Sequence, residues 1–552
     1  ASQNWSSSLD MGLGIAGGGV TIQAQDGAGT ARNITLTGNL SDDGDVSGSL
    51  TKTGSGLLSL GGANTFTGGV TIKNGTLESK TTTNTLGTGT VTMGGSGSTG
   101  ATFITGKNNS NPFLINAPDS GSVVIGANSG GSGFTMSGLV TLNGDLTFQT
   151  FNNLISGTTK AVANLTGGIT GNGNLLLNNL GLAANTITIA TSVNHAGTIT
   201  LQGTGTGNTT LSANIGANVT SVTQNSATST LVLSGNNDYT GATTISAGTL
   251  RLGADNVIPD GAGKGNVSVA GTLDLNGFSE TVNGLSGGGT VDNTAASANA
   301  VLTVSTSSNF NGTIRNSGAA LALVKGPAGD LVLTGNNNSY SGGTTVQGGR
   351  LFIANGGALT PNGSVQVNAG TVTMNAGGSP TFAQTINLAS GAALSMRQDA
   401  TISGLTLPTA GSVVFNRDDL ATVAFSLNSA PVLAGDLTVQ VGGQNATVGD
   451  VTLTGNITGV GGLVKTQAGT LILTGINTYT GDTVVDGGVL AVRGTSIADT
   501  GKLVIDGGVE PGLGEQLEVD LGTGVRRGQL HTARGFSAPR ANATCINSRS
   551  TK

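Results

Sequence analysis

Apolar residues recur along this chain at every second position, in runs too short to make a helix face and closed by glycine or asparagine. In Thr470-Leu-Ile-Leu-Thr474, Leu471 and Leu473 fall on one face, and Thr483-Val-Val-Asp486 runs into Gly487-Gly488. Period two predicts β-strands. Glycine adopts positive φ without steric penalty, so each run ends where the chain can turn. The pattern predicts an all-β chain of many short strands joined by tight turns.

Four stretches repeat one another. Leu58–Leu77 reads LSLGGANTFTGGVTIKNGTL and Leu231–Leu250 reads LVLSGNNDYTGATTISAGTL. Leu331–Leu351 reads LVLTGNNNSYSGGTTVQGGRL and Leu471–Leu490 reads LILTGINTYTGDTVVDGGVL. The frame is an L-x-L strand, a glycine-containing turn, Asn-x-[Tyr/Phe]-[Thr/Ser]-Gly, a second strand, then Gly-x-Leu. Lys52, Lys325 and Lys465 precede the opening leucine by six residues, and Gln224 precedes it by seven. The copies occupy 52–78, 224–252, 325–353 and 465–492, with weaker rungs such as Gly271-Thr-Leu-Asp-Leu275 between them. A unit this small buries its apolar face only by stacking on another like it, so residues 1–521 are expected to form a β-solenoid. Roughly 20–25 residues per turn are expected.

Composition narrows the class. The 552 residues include 96 glycines, with 9% charged and 3% aromatic residues. Proline, at 10 residues, is too scarce for collagen or a proline-rich tract. A core this poor in aromatics must be narrow and repeated, not wide as in a large enzyme. The single cysteine, Cys545, excludes an intrachain disulfide. No apolar run is long enough for a membrane-spanning helix. A start at Ala1 with no charged-then-apolar leader reads as a mature, exported chain. Net charge is −6, yet residues 522–552 hold Arg526, Arg527, Arg534, Arg540, Arg549 and Lys552 and no acid. An acidic body with a basic tail argues against nucleic acid as partner.

Ala468-Gly-Thr-Leu-Ile-Leu-Thr-Gly475, Asn477-Thr-Tyr-Thr-Gly481 and Gly488-Val-Leu490 resemble the passenger-associated transport repeat of bacterial autotransporters, also called the autotransporter-associated β-strand repeat. Gly507-Gly-Val-Glu-Pro-Gly-Leu-Gly514 is similar to the turn that follows such repeats. The resemblance implies a right-handed parallel β-helix, an elongated rod on a bacterial surface, often serving adhesion or biofilm formation. Such proteins end in a membrane β-barrel of alternating strands. Residues after 521 lack that pattern, so a released passenger or a secreted relative without the barrel is expected.

Site chemistry is sparse. Tyr239, Tyr340 and Tyr479, with Phe66 in the first copy, share one motif position, and Asn64, Asn237, Asn338 and Asn477 share another. Phenylalanine lacks a hydroxyl and asparagine bonds local backbone, so both positions are expected to be structural. Asp418 and Asp419 are adjacent and would face opposite ways in a strand. Asp42, Asp43 and Asp45 surround Gly44 in a turn without a known calcium-loop spacing. His195 and His531 stand far apart, and Trp5 is the only tryptophan. No catalytic residue, cofactor or metal is expected. The expectation is a non-enzymatic extracellular protein, self-associating end to end into a fibre or matrix. The alternatives are a monomeric adhesin binding a surface or glycan, with Gly97–Ser132 as a decorated loop, and a polysaccharide-active enzyme.

Overall fold

A computed structural model describes residues 4–12, 19–80, 85–127, 133–150, 162–182, 186–335, 337–354, 363–375, 381–397, 400–417, 424–427, 429–442, 450–492, 503–505, 519–521 and 530–532. Among these the regular structure is strand, with no helix, and the chain is a parallel β-solenoid. It divides into two units, Ala1–Asn283 with Gly289–Asp292, and Gly284–Gly288 with Asn293–Lys552.

In the first unit identical faces stack in register. Leu77 pairs with Phe103, Phe103 with Ile125, Ile125 with Phe148, Phe148 with Leu177 and Leu177 with Leu201, and all six are fully buried. The column exists because alternate residues of each strand point inward, and parallel pairing sets like residue over like. Phe103 also meets Phe113 with ring centroids 5.5 Å apart, and Phe134 meets Phe148 at 5.8 Å. Few aromatics suffice because each inward position closes against the turns beside it.

The second unit repeats the scheme. Leu331 pairs with Leu351, Leu351 with Val372 and Val372 with Leu394, all buried. Leu530–Thr532 pairs in parallel with Leu503–Ile505.

Steps along the stack run from 18 residues, Thr272 to Thr290, to 30, Val20 to Leu50. The spread exceeds the expected 20–25. Apart from register shifts at Gly197–Thr198, Gln224–Thr230 and Phe382–Thr385, pairing runs residue by residue within strands, and most added residues fall between them.

The Gly97–Ser132 stretch differs from expectation. It holds Gly100–Thr105, Phe113–Asn116 and Val123–Ala127, each paired on both sides as an ordinary rung, and residues 128–132 lie outside the described set. Its glycine and serine content hides Phe103, Ile115 and Ile125, which carry the period of two and are fully buried.

Candidate functional site

The repeat motif assembles one junction, built four times. Its centre is a buried lysine. Lys52, Lys325 and Lys465 point inward from their strands and are fully buried. The Lys52 ammonium donates to the carbonyls of Thr53 at 3.0 Å, Gly54 at 2.7 Å and Asn74 at 2.8 Å. Lys465 donates to Thr466, Gln467 and Gly487 at 2.8, 2.6 and 3.0 Å. Lys325 donates to Gly326, Ala328 and Gly348 at 2.6, 2.8 and 3.4 Å. Two bonds close the turn after the lysine's own strand, and the third reaches the next turn. Three donors on a flexible stem suit this task. Burial holds all three ammonium groups below the usual lysine range, Lys52 and Lys465 at about 8.

The carbonyl reached in the next turn immediately precedes the motif glycine, Gly75, Gly349 or Gly488. These glycines have φ of 70°, 62° and 66°. A Cβ on Gly75 would lie 2.5 Å from the Gly54 carbonyl oxygen, and one on Gly488 would lie 2.4 Å from that of Gln467. Lysine and glycine therefore act on the same carbonyls, one by charge and the other by letting the backbone approach.

In the second copy Gln224 takes the lysine's place. Its Nε2 donates to Ser226 and Ser229 at 3.1 and 2.7 Å, both in its own turn. Its Oε1 is buried without a hydrogen bond.

The motif asparagines join successive turns. Oδ1 of Asn64 accepts from Leu40 N–H at 2.7 Å, and Nδ2 donates to the Thr85 carbonyl at 2.6 Å. Asn237 accepts from Ile215 at 3.0 Å and donates to Val257 at 2.7 Å. Asn338 and Asn477 accept from Ile314 and Ile457 at 2.9 and 3.0 Å. Glu280, which the motif did not single out, extends the Asn237 column. Its Oε2 accepts from Val257 and Ile258 N–H at 3.0 and 3.2 Å. Burial pushes its carboxyl up to about 8, against the backbone donors that favour the anion.

The aromatic position pairs with the residue four places on. The hydroxyls of Tyr239, Tyr340 and Tyr479 bond those of Thr243, Thr344 and Thr483 at 2.6, 2.7 and 2.5 Å, all buried. Phe66 has Val70 at that place, and both are buried. Hydroxyl stands with hydroxyl and hydrocarbon with hydrocarbon, which leaves no buried donor unpaired.

The remaining candidates do not converge. The Asp42 carboxylate accepts from Gly48 N–H at 2.7 Å and from the N–H and hydroxyl of Thr67, each at 3.0 Å. Those donors hold its pKa below the usual carboxylate range. His195 is buried, with Nε2 3.3 Å from the Thr198 carbonyl. A cavity of about 220 Å³ lined by Trp5, Met11, Gly12, Val20, Ile22, Ile34 and Leu36 has no titratable side chain in its wall. Among the described residues no three His, Cys, Asp or Glu side chains gather closely enough to hold a metal, and no helix is long and apolar enough to cross a membrane. Asp418, Asp419, Cys545, the 507–514 turn and the tail's arginines lie outside the described residues, as does the side chain of His531.

The passenger-associated-transport-repeat family model matches residues 50–78, 228–252, 323–351 and 463–492, the four copies that carry this junction. Over 501 residues, 82% of the chain, the sequence is 30% identical to the adhesin BmaC autotransporter of Brucella suis biovar 1 (strain 1330). The chain spans 14% of that relative's length. No solved structure matches it.

Proposed function

We propose, for a chain that carries passenger-associated transport repeats and is homologous over most of its length to an autotransporter adhesin, that it acts as a non-enzymatic adhesive segment contacting its target through outward β-faces. The homology implies a secreted or cell-surface location. One observation carries the adhesive reading. The junction's lysines, asparagines and tyrosines, together with Glu280, spend their polar atoms on the protein's own backbone and hydroxyls. In this reading Phe66, Tyr239, Tyr340, Tyr479 and the four motif asparagines are structural. What is left for a partner is the outside of the stack.

The test is adhesion by beads coated with the full chain, counted on bacterial, epithelial and polysaccharide-coated surfaces. Retention that is lost when the chain is heat-unfolded supports the proposal, and no retention on any surface refutes it. A second reading, end-to-end self-association, is supported by the charge contrast between the acidic body and the basic 522–552 segment. Sedimentation velocity at two ionic strengths tests it. Assemblies that dissolve in high salt or on deleting 522–552 support it, and a monomer at low salt sinks it.

A further inference from the structure

On one sheet of the first unit a column of threonine faces outward. The strands are Val20–Gln23, Leu50–Thr53, Val70–Ile72, Val91–Met93, Phe113–Asn116, Val140–Asn143 and Ile169–Gly171. They pair in parallel in that order. From Thr21 to Thr170 the registered position between the two inward residues is threonine in six strands and leucine, Leu114, in one. Every one of these side chains is partly or fully exposed. None of the six hydroxyls bonds another group among the described residues, whereas elsewhere threonine hydroxyls do, as in Thr67 to Asp42. Neighbouring strands lie about 4.8 Å apart, so the column offers a donor, an acceptor and a methyl at that interval.

The surroundings keep the face flat and nearly neutral. Two residues before the column stand Gly19, Ser49, Gly69, Thr90, Pro112, Leu139 and Gly168, small residues except for Pro112 and the exposed Leu139. Among the positions two residues after the column, Lys73 is the only charge. The fold does not require the pattern. In the second unit the registered column Thr303, Val324, Thr345, Gln366, Asn387, Thr406 mixes side chains freely.

We propose that this threonine face binds a neutral polysaccharide laid along the stack, a reading that rests on the adhesive function above and names its ligand class. Unpartnered hydroxyls at six of seven steps match a polymer that presents hydroxyls at every sugar, and the methyls with Leu114 match its C–H surfaces. A column without charge gives an ionic polymer nothing to pair with. A peptide strand would seek open backbone, and the five strands from Leu50–Thr53 to Val140–Asn143 are paired on both sides within the sheet. With no aromatic to stack a sugar, each contact is weak, and binding grows by summing contacts along the chain.

The experiment is biolayer interferometry of the full chain against dextran, galactan and mannan of graded length, with heparin as the charged comparison. Binding to at least one neutral polymer that tightens with length is expected. Thr51→Val, Thr71→Val and Thr92→Val together are expected to weaken it at least tenfold, whereas the same three changes to serine retain it. Thr303→Val with Thr345→Val should leave it unchanged. Circular dichroism and melting confirm that each variant folds. No binding to any neutral polymer, binding to heparin alone, or wild-type affinity in the valine triple variant overturns the proposal. If wild-type beads adhere while the wild-type chain binds no neutral polymer, the polysaccharide face fails and the adhesive function stands. If wild-type beads adhere to nothing, the adhesive function itself fails.

Discussion

Lys465→Met removes one clamp while keeping much of the side chain's volume. Three donated bonds disappear, leaving the carbonyls of Thr466, Gln467 and Gly487 without that donor. Bonds from a charged donor contribute about 1.5–3 kcal/mol each. Against this stands the desolvated ammonium. Its fall from 10.5 to about 8 means that burial opposes the charged form by about 3 kcal/mol at neutral pH. The net loss is then about 1–5 kcal/mol, centred near 3. Stability in a stack of repeats is a sum of local terms, so a single melting temperature would blur the effect. The assay is amide hydrogen exchange in peptides from 463–492, where about 3 kcal/mol is a loss of protection on the order of 100-fold. A control at the half-buried Lys73, Lys73→Met read in peptides covering 70–79, should change protection there less than tenfold.

The pH arm has a definite sign. The folded pKa of about 8 lies below the unfolded 10.5, so between them the unfolded chain holds the extra proton. Stability therefore rises with pH through that window. From pH 7 to 9, protection corrected for intrinsic exchange should gain about 1 kcal/mol in the wild type and nothing in Lys465→Met. Protection in the variant equal to wild type at pH 7, or the same pH slope in both, would refute the clamp.

Tyr479→Phe and Thr483→Val should each cost about 1 kcal/mol in local exchange and the pair together less than their sum, because the double change recreates the Phe66–Val70 arrangement. Phe66→Tyr, which buries a hydroxyl beside valine, should cost about 1–3 kcal/mol, and a neutral outcome would remove the pairing argument. Gly488→Ala should destabilise by about 2–5 kcal/mol, through its φ of 66° and a Cβ 2.4 Å from backbone oxygen. Gly29→Ala, at φ 82° with open space around it, should cost only about 1–2 kcal/mol. Burial holds His195 below its usual 6.5, so the folded chain resists its protonation and stability is lost as pH falls below that value. His195→Gln should lose less protection than wild type between pH 7 and 5, read in peptides covering 187–202.

The sequence shows the solenoid more plainly than it shows what the solenoid offers. Four copies with a shared frame are legible because the junction demands particular residues at fixed offsets. In the first and fourth copies the lysine six places before the leucine and the glycine two places before the last leucine meet at one carbonyl, Gly54 or Gln467, which ties their offset. Tyr with Thr and Phe with Val are equally local, and reading positions four apart as a pair would have revealed them. Glu280 is illegible for a different reason. It continues a column of asparagines with a carboxyl group, its Oε2 accepting from the Val257 N–H while Asn237 holds the same residue's carbonyl. The threonine face is the hardest case. Thr51 and Thr71 are 20 residues apart, Thr71 and Thr92 21, and Thr141 and Thr170 29, so no fixed period superposes them. Register supplies the alignment, and register is decided by the buried faces, where one residue of slip would turn every leucine outward. The inward residues thus determine which outward residues become neighbours without constraining what those residues are. Threonine suits outward strand positions by its own β preference, so the run Thr51, Thr71 and Thr92 is a face that register assembles. Whether a partner lies along it is read by the valine and serine variants rather than by the sequence.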